Sequence, residues 1–202
     1  MSEALIAAWQ QTSTLEIVSV AFGLAYVILA ARENAWCWPA AMIGTATAIV
    51  LFWDVSLLME SALNVFYLAM AFYGLWAWRR GGAGGTSLPI SSWRFNHHAL
   101  AFAGILVLSV VSGSLLSENT SASYPFVDSF TTWAAVITTW MVTRKVLQNW
   151  LYWLVINSVS IWLFFQKELY LYALLFVLYV LISLYGYQNW RRLYAQQRNA
   201  FA

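Results

Sequence analysis

Seven long apolar stretches alternate with shorter polar segments along the chain. Each stretch approaches the ~20 apolar residues that an α-helix needs to cross a bilayer. The pattern therefore predicts an all-α integral membrane protein, with one membrane domain over residues 1–202 and seven transmembrane helices. The predicted spans cover residues 15–31, 35–53, 56–78, 97–116, 126–143, 150–165 and 169–190.

The second half of the chain repeats the first at a fixed offset of 112 residues, so that Trp38 matches Trp150. The spans therefore divide into a first three-helix repeat (15–80), a connecting helix (97–116) and a second three-helix repeat (126–192). Because the connector is a single span, the two repeats are predicted to be parallel. In membrane proteins, two copies of one helical unit usually build a shared site where they meet, which indicates a transporter.

Composition identifies the solvent around these helices. Hydrophobic residues make up 62% of the chain and charged residues only 9%, and the mean hydropathy is +0.66. A soluble domain carries about 25% charged residues, so membrane lipid must cover most of this surface. Aromatic residues reach 18%, with 13 tryptophans, which suits interfacial belts and a stacking site. The single cysteine, Cys37, excludes an internal disulfide framework.

The basic residues predict the orientation. With the N-terminus outside and the C-terminus in the cytoplasm, nine of the ten lysines and arginines fall on the cytoplasmic side, and Lys167 is the exception. The nine are Arg32, Arg79, Arg80, Arg94, Arg144, Lys145, Arg191, Arg192 and Arg198. Most carboxylates lie at the outer ends, where they would concentrate cations. The glycine-rich run at 81–87 predicts a flexible cytoplasmic linker.

The start of the sixth span carries the strongest candidate for a solute site. Trp150, Trp153 and Asn157 are spaced i, i+3 and i+7, which places them on one helical face. Two indoles can stack on a flat ring while the amide binds its polar edge, and an indole face attracts a cation by roughly 2 kcal/mol when desolvated. The alternative is that the tryptophans belong to an interfacial belt. The first repeat has Ala41 and Thr45 at the positions of Trp153 and Asn157.

A second polar face lies on the third span, where Glu60, Asn64 and Tyr67 are spaced i, i+4 and i+7. A carboxylate within a span is a candidate functional residue, and these three could complete the lining of a substrate site. The alternative is that Glu60 bonds to a neighbouring helix.

Two classes other than a transporter are compatible with a membrane protein. A membrane enzyme would need a reactive cluster, but His97 and His98 are adjacent and do not share a helix face. The sequence supplies neither a set of metal ligands nor a phosphate-binding loop, and we expect no catalytic residues, no cofactor and no nucleic-acid partner. A structural or signalling membrane protein without transport activity remains the remote alternative.

Four sequence motifs resemble the PnuC family of bacterial vitamin-precursor transporters along nearly the whole chain. They are Trp150-x-x-Trp153-x-x-x-Asn157, Thr143-Arg-Lys145, Tyr124-Pro-Phe-Val-Asp128 and Tyr73-Gly-Leu-Trp-Ala-Trp78. The first is fairly specific, whereas the Tyr-Gly and Trp endings are weaker.

The resemblance implies a seven-helix, three-one-three fold in the bacterial inner membrane and assembly as a homotrimer. It also implies uptake of nicotinamide riboside by facilitated diffusion, with cytoplasmic phosphorylation trapping the solute and supplying NAD biosynthesis. The family's motif residues line the substrate site, which implies this role for Trp150, Trp153 and Asn157. A sister branch carries thiamine, another flat cationic heteroaromatic, so thiamine uptake is the alternative function.

Overall fold

The computed structural model describes residues 14–54, 58–120, 123–166 and 170–200. In these residues the chain forms seven α-helices and one short 3₁₀ turn, which confirms the predicted all-α fold. The helices are α1 (Thr14–Ala31), α2 (Cys37–Asp54), α3 (Leu58–Arg80), α4 (Phe95–Asn119), α5 (Pro125–Thr143), α6 (Asn149–Gln166) and α7 (Tyr170–Ala200). Three helices precede and three follow the connecting helix α4, as the three-one-three arrangement of parallel repeats requires.

Local sequence explains where the helices begin and end. Pro125 lies in the first turn of α5, where its missing N–H removes no helical hydrogen bond. The last helix, α7, continues through Arg191 and Arg192 to Ala200, although the predicted span ends at residue 190. The apolar pattern marks only the part of a helix that suits lipid, whereas arginine, glutamine and alanine prolong the helix in water.

Four of the described helices are long and apolar enough to cross a membrane. They are α1, α2, α4 and the part of α7 from Tyr172 onwards. The three other helices carry polar residues within their apolar stretches, such as Asn64 in α3, Thr138 in α5 and Asn157 in α6. Two of these three helices, α3 and α6, carry the six candidate site residues.

The chain divides into two compact units. Among the described residues, the first unit contains α1 up to Ala30, then Asn34 onwards through α2 and α3 as far as Trp76. The second contains Ala31–Glu33 and everything from Ala77 onwards, with α4 to α7. In the second unit Ile105, Ala134 and Ile156 form a buried cluster that joins α4, α5 and α6.

The first helix of each repeat ends in the same kind of turn. Glu33 has φ 57° and Lys145 has φ 49°, the left-handed conformation that usually favours glycine after a helix. The following amide bonds five residues back in both turns, from Asn34 N to Leu29 O at 2.9 Å and from Val146 N to Met141 O at 3.0 Å. The two turns lie at the repeat offset of 112 residues.

The connection between α3 and α4 consists of the glycine-rich run at 81–87, predicted as a linker, and a bonded segment that follows it. After the 3₁₀ turn Ala83–Gly85, the backbone bonds to other parts of the second unit. Ile90 N donates to Gln197 Oε1 at 3.1 Å and Trp93 N to Gln148 Oε1 at 3.2 Å. Ser91 forms a parallel β-bridge with Val146.

Candidate solute-binding site

Trp150 is buried against α7. Its side chain is only 2% exposed, and its ring meets that of Trp190 edge-on with centroids 5.6 Å apart. A Cβ placed on Gly186 would lie 2.7 Å from Cδ2 of Trp150, so only glycine leaves room for this indole. The indole Nε1 is buried without a hydrogen-bond partner among the described residues. Trp150 is therefore a packed residue with an unused donor, and its face is not open to solvent.

Asn157 also faces α7, about two helical turns further along α6 than Trp150. It is buried, and its Nδ2 donates to Ser183 Oγ at 3.4 Å, which is a long hydrogen bond. Ser183 in turn donates to Tyr179 O at 2.7 Å. The structure thus brings Trp150 and Asn157 together along α7.

Trp153 has different neighbours. It is partly buried and packs against the cluster of Ile105, Ala134 and Ile156. On an ideal helix three residues correspond to 300°, so a spacing of i, i+3 leaves about 60° between two side chains. This angle is enough for Trp153 to contact α4 and α5 while Trp150 contacts α7.

In the first unit, Trp38 repeats the packing of Trp150. It is 1% exposed, and a Cβ on Gly74, which matches Gly186, would lie 2.4 Å from its ring. The ring of Tyr26 lies 5.9 Å away, centroid to centroid. Thr45, which matches Asn157, donates to the Ala41 carbonyl of its own helix at 2.7 Å.

The residues predicted on α3 belong to the first unit. Asn64 and Tyr67 are both half-buried, and the Tyr67 ring lies 5.6 Å from that of Phe66. Glu60 belongs to α3, but its side chain lies outside the part of the structure that is described. Near it, Ser61 donates to Ile49 O at 3.1 Å and joins α3 to α2.

An ion pair with an aromatic neighbour was not predicted from the sequence. Lys145 Nζ lies 2.7 Å from Glu33 Oε1 and 4.7 Å above the ring of Trp78. The indole of Trp78 donates to Val142 O at 3.0 Å, and its ring lies 5.7 Å from that of Trp190. The repeat offset gave a signal, because it aligns Glu33 with Lys145, two opposite charges at one repeat position.

A separate groove of about 500 Å³ lies on the second unit. Phe95, His98, Phe102 and Leu106 of α4 line it together with Tyr152. His98 Nδ1 and the Tyr152 hydroxyl are 3.0 Å apart. Its lining is otherwise apolar and includes none of the six predicted site residues. Among the described residues, no group of three histidine, cysteine, aspartate or glutamate side chains is placed to hold a metal ion.

Known proteins resemble this chain over most of its length. The chain is 24% identical to the nicotinamide riboside transporter PnuC of Escherichia coli, over 88% of this chain and 85% of that protein. It is 29% identical to the PnuC of Haemophilus influenzae, over 94% and 85% of the two chains. It is also 23% identical to the riboflavin/roseoflavin transporter RibM of Streptomyces davaonensis, over 94% and 90%.

A solved structure shares the fold. The crystal structure of the vitamin B3 transporter PnuC superimposes with a TM-score of 0.71 at 21% identity, covering 96% of this chain and 87% of that one. The sequence pattern of the nicotinamide mononucleotide transporter family matches residues 13–192. These relatives are transporters and not enzymes. The chain is therefore a multi-pass membrane transporter, and it belongs to the nicotinamide mononucleotide transporter family.

Proposed function

We propose that this transporter imports nicotinamide riboside by facilitated diffusion, and that phosphorylation by a separate cytoplasmic kinase traps the solute. The family membership and the similarity to nicotinamide riboside transporters support this solute. The observation that carries the proposal is Asn157, a buried amide whose hydrogen bond to Ser183 is 3.4 Å long. A long bond costs little to exchange for a bond to a solute.

The proposed site matches the chemistry of nicotinamide riboside, a flat cationic ring with a carboxamide and a ribose. Trp153 is half-buried and offers an indole face to the cationic ring. The amide of Asn157 and the unused Nε1 donor of Trp150 can bond to the solute's polar groups. On α3, we propose that Asn64, Tyr67 and Glu60 supply an amide, a phenol and a carboxylate for solute binding.

Binding titrations on the purified protein test the choice of solute. Nicotinamide riboside, thiamine and riboflavin are each titrated by calorimetry against the same sample. Riboflavin joins the comparison because RibM covers more of this chain than the Escherichia coli PnuC does, at similar identity. We expect nicotinamide riboside to bind most tightly. Tighter binding of thiamine or riboflavin would identify that vitamin as the solute instead. Failure of all three to bind would contradict the proposal.

The energetics of transport are tested in vesicles. Facilitated diffusion predicts that purified protein brings nicotinamide riboside only to equal concentrations inside and outside. Enclosing a kinase and ATP should then raise the internal total of riboside and phosphorylated product. Accumulation above equilibrium on an imposed proton or sodium gradient, without the kinase, would show ion coupling.

The orientation and assembly are further parts of the proposal. We propose that the N-terminus lies outside and the C-terminus in the cytoplasm of the bacterial inner membrane, and that three copies form a homotrimer. Reporter fusions after Arg80 and after Arg192 should both be cytoplasmic, and one after Glu118 should be external. A cytoplasmic reporter at Glu118 contradicts the orientation. Native mass spectrometry in detergent measures the number of copies.

A further inference from the structure

The Glu33–Lys145 pair lies in a largely buried position. The side chains are 22% and 5% exposed, and the Nζ–Oε1 distance is 2.7 Å. Burying two charges costs desolvation that their attraction offsets only in part, so such a pair adds little net stability. Removing one partner, in contrast, leaves an uncompensated buried charge, which is strongly unfavourable. The pair is therefore selective for one arrangement of the chain without making that arrangement very stable.

The backbone conformation at both residues is unfavourable for any residue other than glycine. Glu33 and Lys145 each adopt positive φ, of 57° and 49°, at the turn after a helix. Glycine adopts this conformation without strain, and other residues held in it cluster at functional sites and switch regions. Two non-glycine residues at repeat-equivalent strained positions, with opposite charges in contact, need an explanation beyond helix termination.

Lys145 is the fixed member of the pair. Its carbonyl accepts a hydrogen bond from Ser91 N at 2.9 Å, and its ammonium group lies 4.7 Å above the Trp78 ring. Glu33 is less firmly held than Lys145. It belongs to a three-residue turn, Ala31–Glu33, which joins the second unit while Ala30 and Asn34 belong to the first. Besides the ion pair, a hydrogen bond from Asn189 Nδ2 to Ala31 O, 3.0 Å long, holds this turn.

We propose that the Glu33–Lys145 pair is a releasable conformational contact of the transport cycle. It holds the Ala31–Glu33 turn on the second unit in the state described here, and it opens in another state. Releasing Glu33 relieves strain at its positive φ and returns its carboxylate to water, while the Lys145 ammonium group keeps the Trp78 ring, 4.7 Å away, as a neighbour. Together these offset part of the lost ion pair. A contact balanced in this way can be shifted by a solute that binds one state better than the other.

The single cysteine provides a native probe of this turn. Cys37 is fully buried, and its amide donates to Asn34 O at 3.0 Å, so α2 begins directly after the turn. The rate at which a small maleimide labels Cys37 in folded protein therefore reports opening of the turn. We compare wild type with Glu33→Gln, Lys145→Gln and the charge swap Glu33→Lys with Lys145→Glu. Arg32→Gln, an exposed charge change in the same turn, is the matched control.

Without solute, Glu33→Gln and Lys145→Gln should each label about tenfold faster than wild type or more, since each leaves a buried group unpaired. The swap should return labelling to within about threefold of wild type, because it restores the pairwise term. Arg32→Gln should label like wild type. Wild-type labelling rates in both single variants overturn the proposal, and so does fast labelling that the swap does not slow.

A second set of labelling experiments is done with nicotinamide riboside present, and it rests on the proposed function. Saturating solute should change the Cys37 labelling rate in wild type, and this response should be lost in Glu33→Gln. If calorimetry shows binding but wild-type labelling does not respond, the pair is a static contact and the proposal fails. If no vitamin binds, the proposed function fails, while the solute-free labelling still decides whether the pair holds the turn closed. Should Glu33→Gln not fold, Glu33→Asp and Lys145→Arg replace the single variants, with smaller increases expected.

Discussion

The two repeats bury their tryptophans alike but differ seven residues further along the helix. Trp38 packs on Gly74 and Trp150 on Gly186, with the same close approach of ring to backbone. At the later position the first repeat has Thr45, whose hydroxyl bonds to its own helix. The second repeat has Asn157, whose amide reaches Ser183 on another helix. The shared contact belongs to the scaffold, and the difference indicates that, of the two equivalent helices α2 and α6, α6 is the one that we expect to recognise the solute.

This comparison separates two kinds of substitution. Changes to the duplicated tryptophan–glycine contacts should alter stability in both repeats. Changes at the proposed solute contacts of α6, or at residues that position them, should alter solute affinity. The predictions below test this separation, from the largest expected effect to the smallest.

Replacing Asn157 by Leu should give the largest loss. We expect affinity for nicotinamide riboside to fall by about a hundredfold or more, since a lost hydrogen bond in a buried site costs up to about 3 kcal/mol. Folding should change little, because Ser183 keeps its 2.7 Å bond to Tyr179 O. Thr45→Val is the matched change in the first repeat and should leave affinity unchanged. Calorimetry and thermal unfolding of both variants measure the difference, and equal affinities would remove the distinction between the repeats.

Replacing Trp153 by Ala should weaken binding by about ten- to a hundredfold, which corresponds to about 1–3 kcal/mol for a stacked aromatic. Trp38→Ala should instead lower stability by about 3–5 kcal/mol, because it empties a fully buried position. Affinity is measured on the folded fraction of each variant. If Trp38→Ala weakens solute binding more than Trp153→Ala, the first repeat contributes more to recognition than we propose.

Gly186→Ala and Gly74→Ala should both destabilise the protein, by about 1–3 kcal/mol each, because the new methyl group overlaps a packed indole. The Cβ would lie 2.7 Å from Trp150 in one case and 2.4 Å from Trp38 in the other. Only Gly186→Ala should also reduce solute affinity, by several-fold, since it displaces Trp150. Thermal unfolding and titration of the pair compare the two. Equal affinity losses would indicate that the tryptophans act alike.

Thr138→Val should have the smallest effect. Thr138 is fully buried in α5, but its hydroxyl donates to Ala134 O of the same helix at 2.6 Å. The substitution should cost about 1 kcal/mol of stability and leave affinity unchanged. A clear loss of affinity in titration would show that polar residues of α5 also contact the solute.

The helices were predictable because their apolar runs are long and polar segments separate them. The packing around the candidate site was harder to predict from the sequence. Periodicity placed Trp150, Trp153 and Asn157 on one side of α6, but it does not say which helix each side chain meets. Trp153 proved to pack with Ile105 and Ala134, a contact between residues far apart in sequence. The Glu33–Lys145 pair depends on two turns brought together in space, and only the alignment of the repeats hinted at it.

The bonded connection between α3 and α4 bears on how this gene could be divided. Gly84 and Gly85 have positive φ and open space where a Cβ would be, whereas Ile90, Ser91 and Trp93 are bonded to the second unit. A chain break or an inserted domain at the two glycines disturbs bonds within the turn itself, such as Gly85 N to Gly82 O at 3.1 Å and Thr86 Oγ1 to Ala83 O at 2.9 Å. It leaves the bonds of Ile90, Ser91 and Trp93 in place. A break a few residues later would separate Ser91 from the backbone of Lys145. Coding sequences for two half-proteins, or for one with a fluorescent insert, should therefore be joined or split at Gly84.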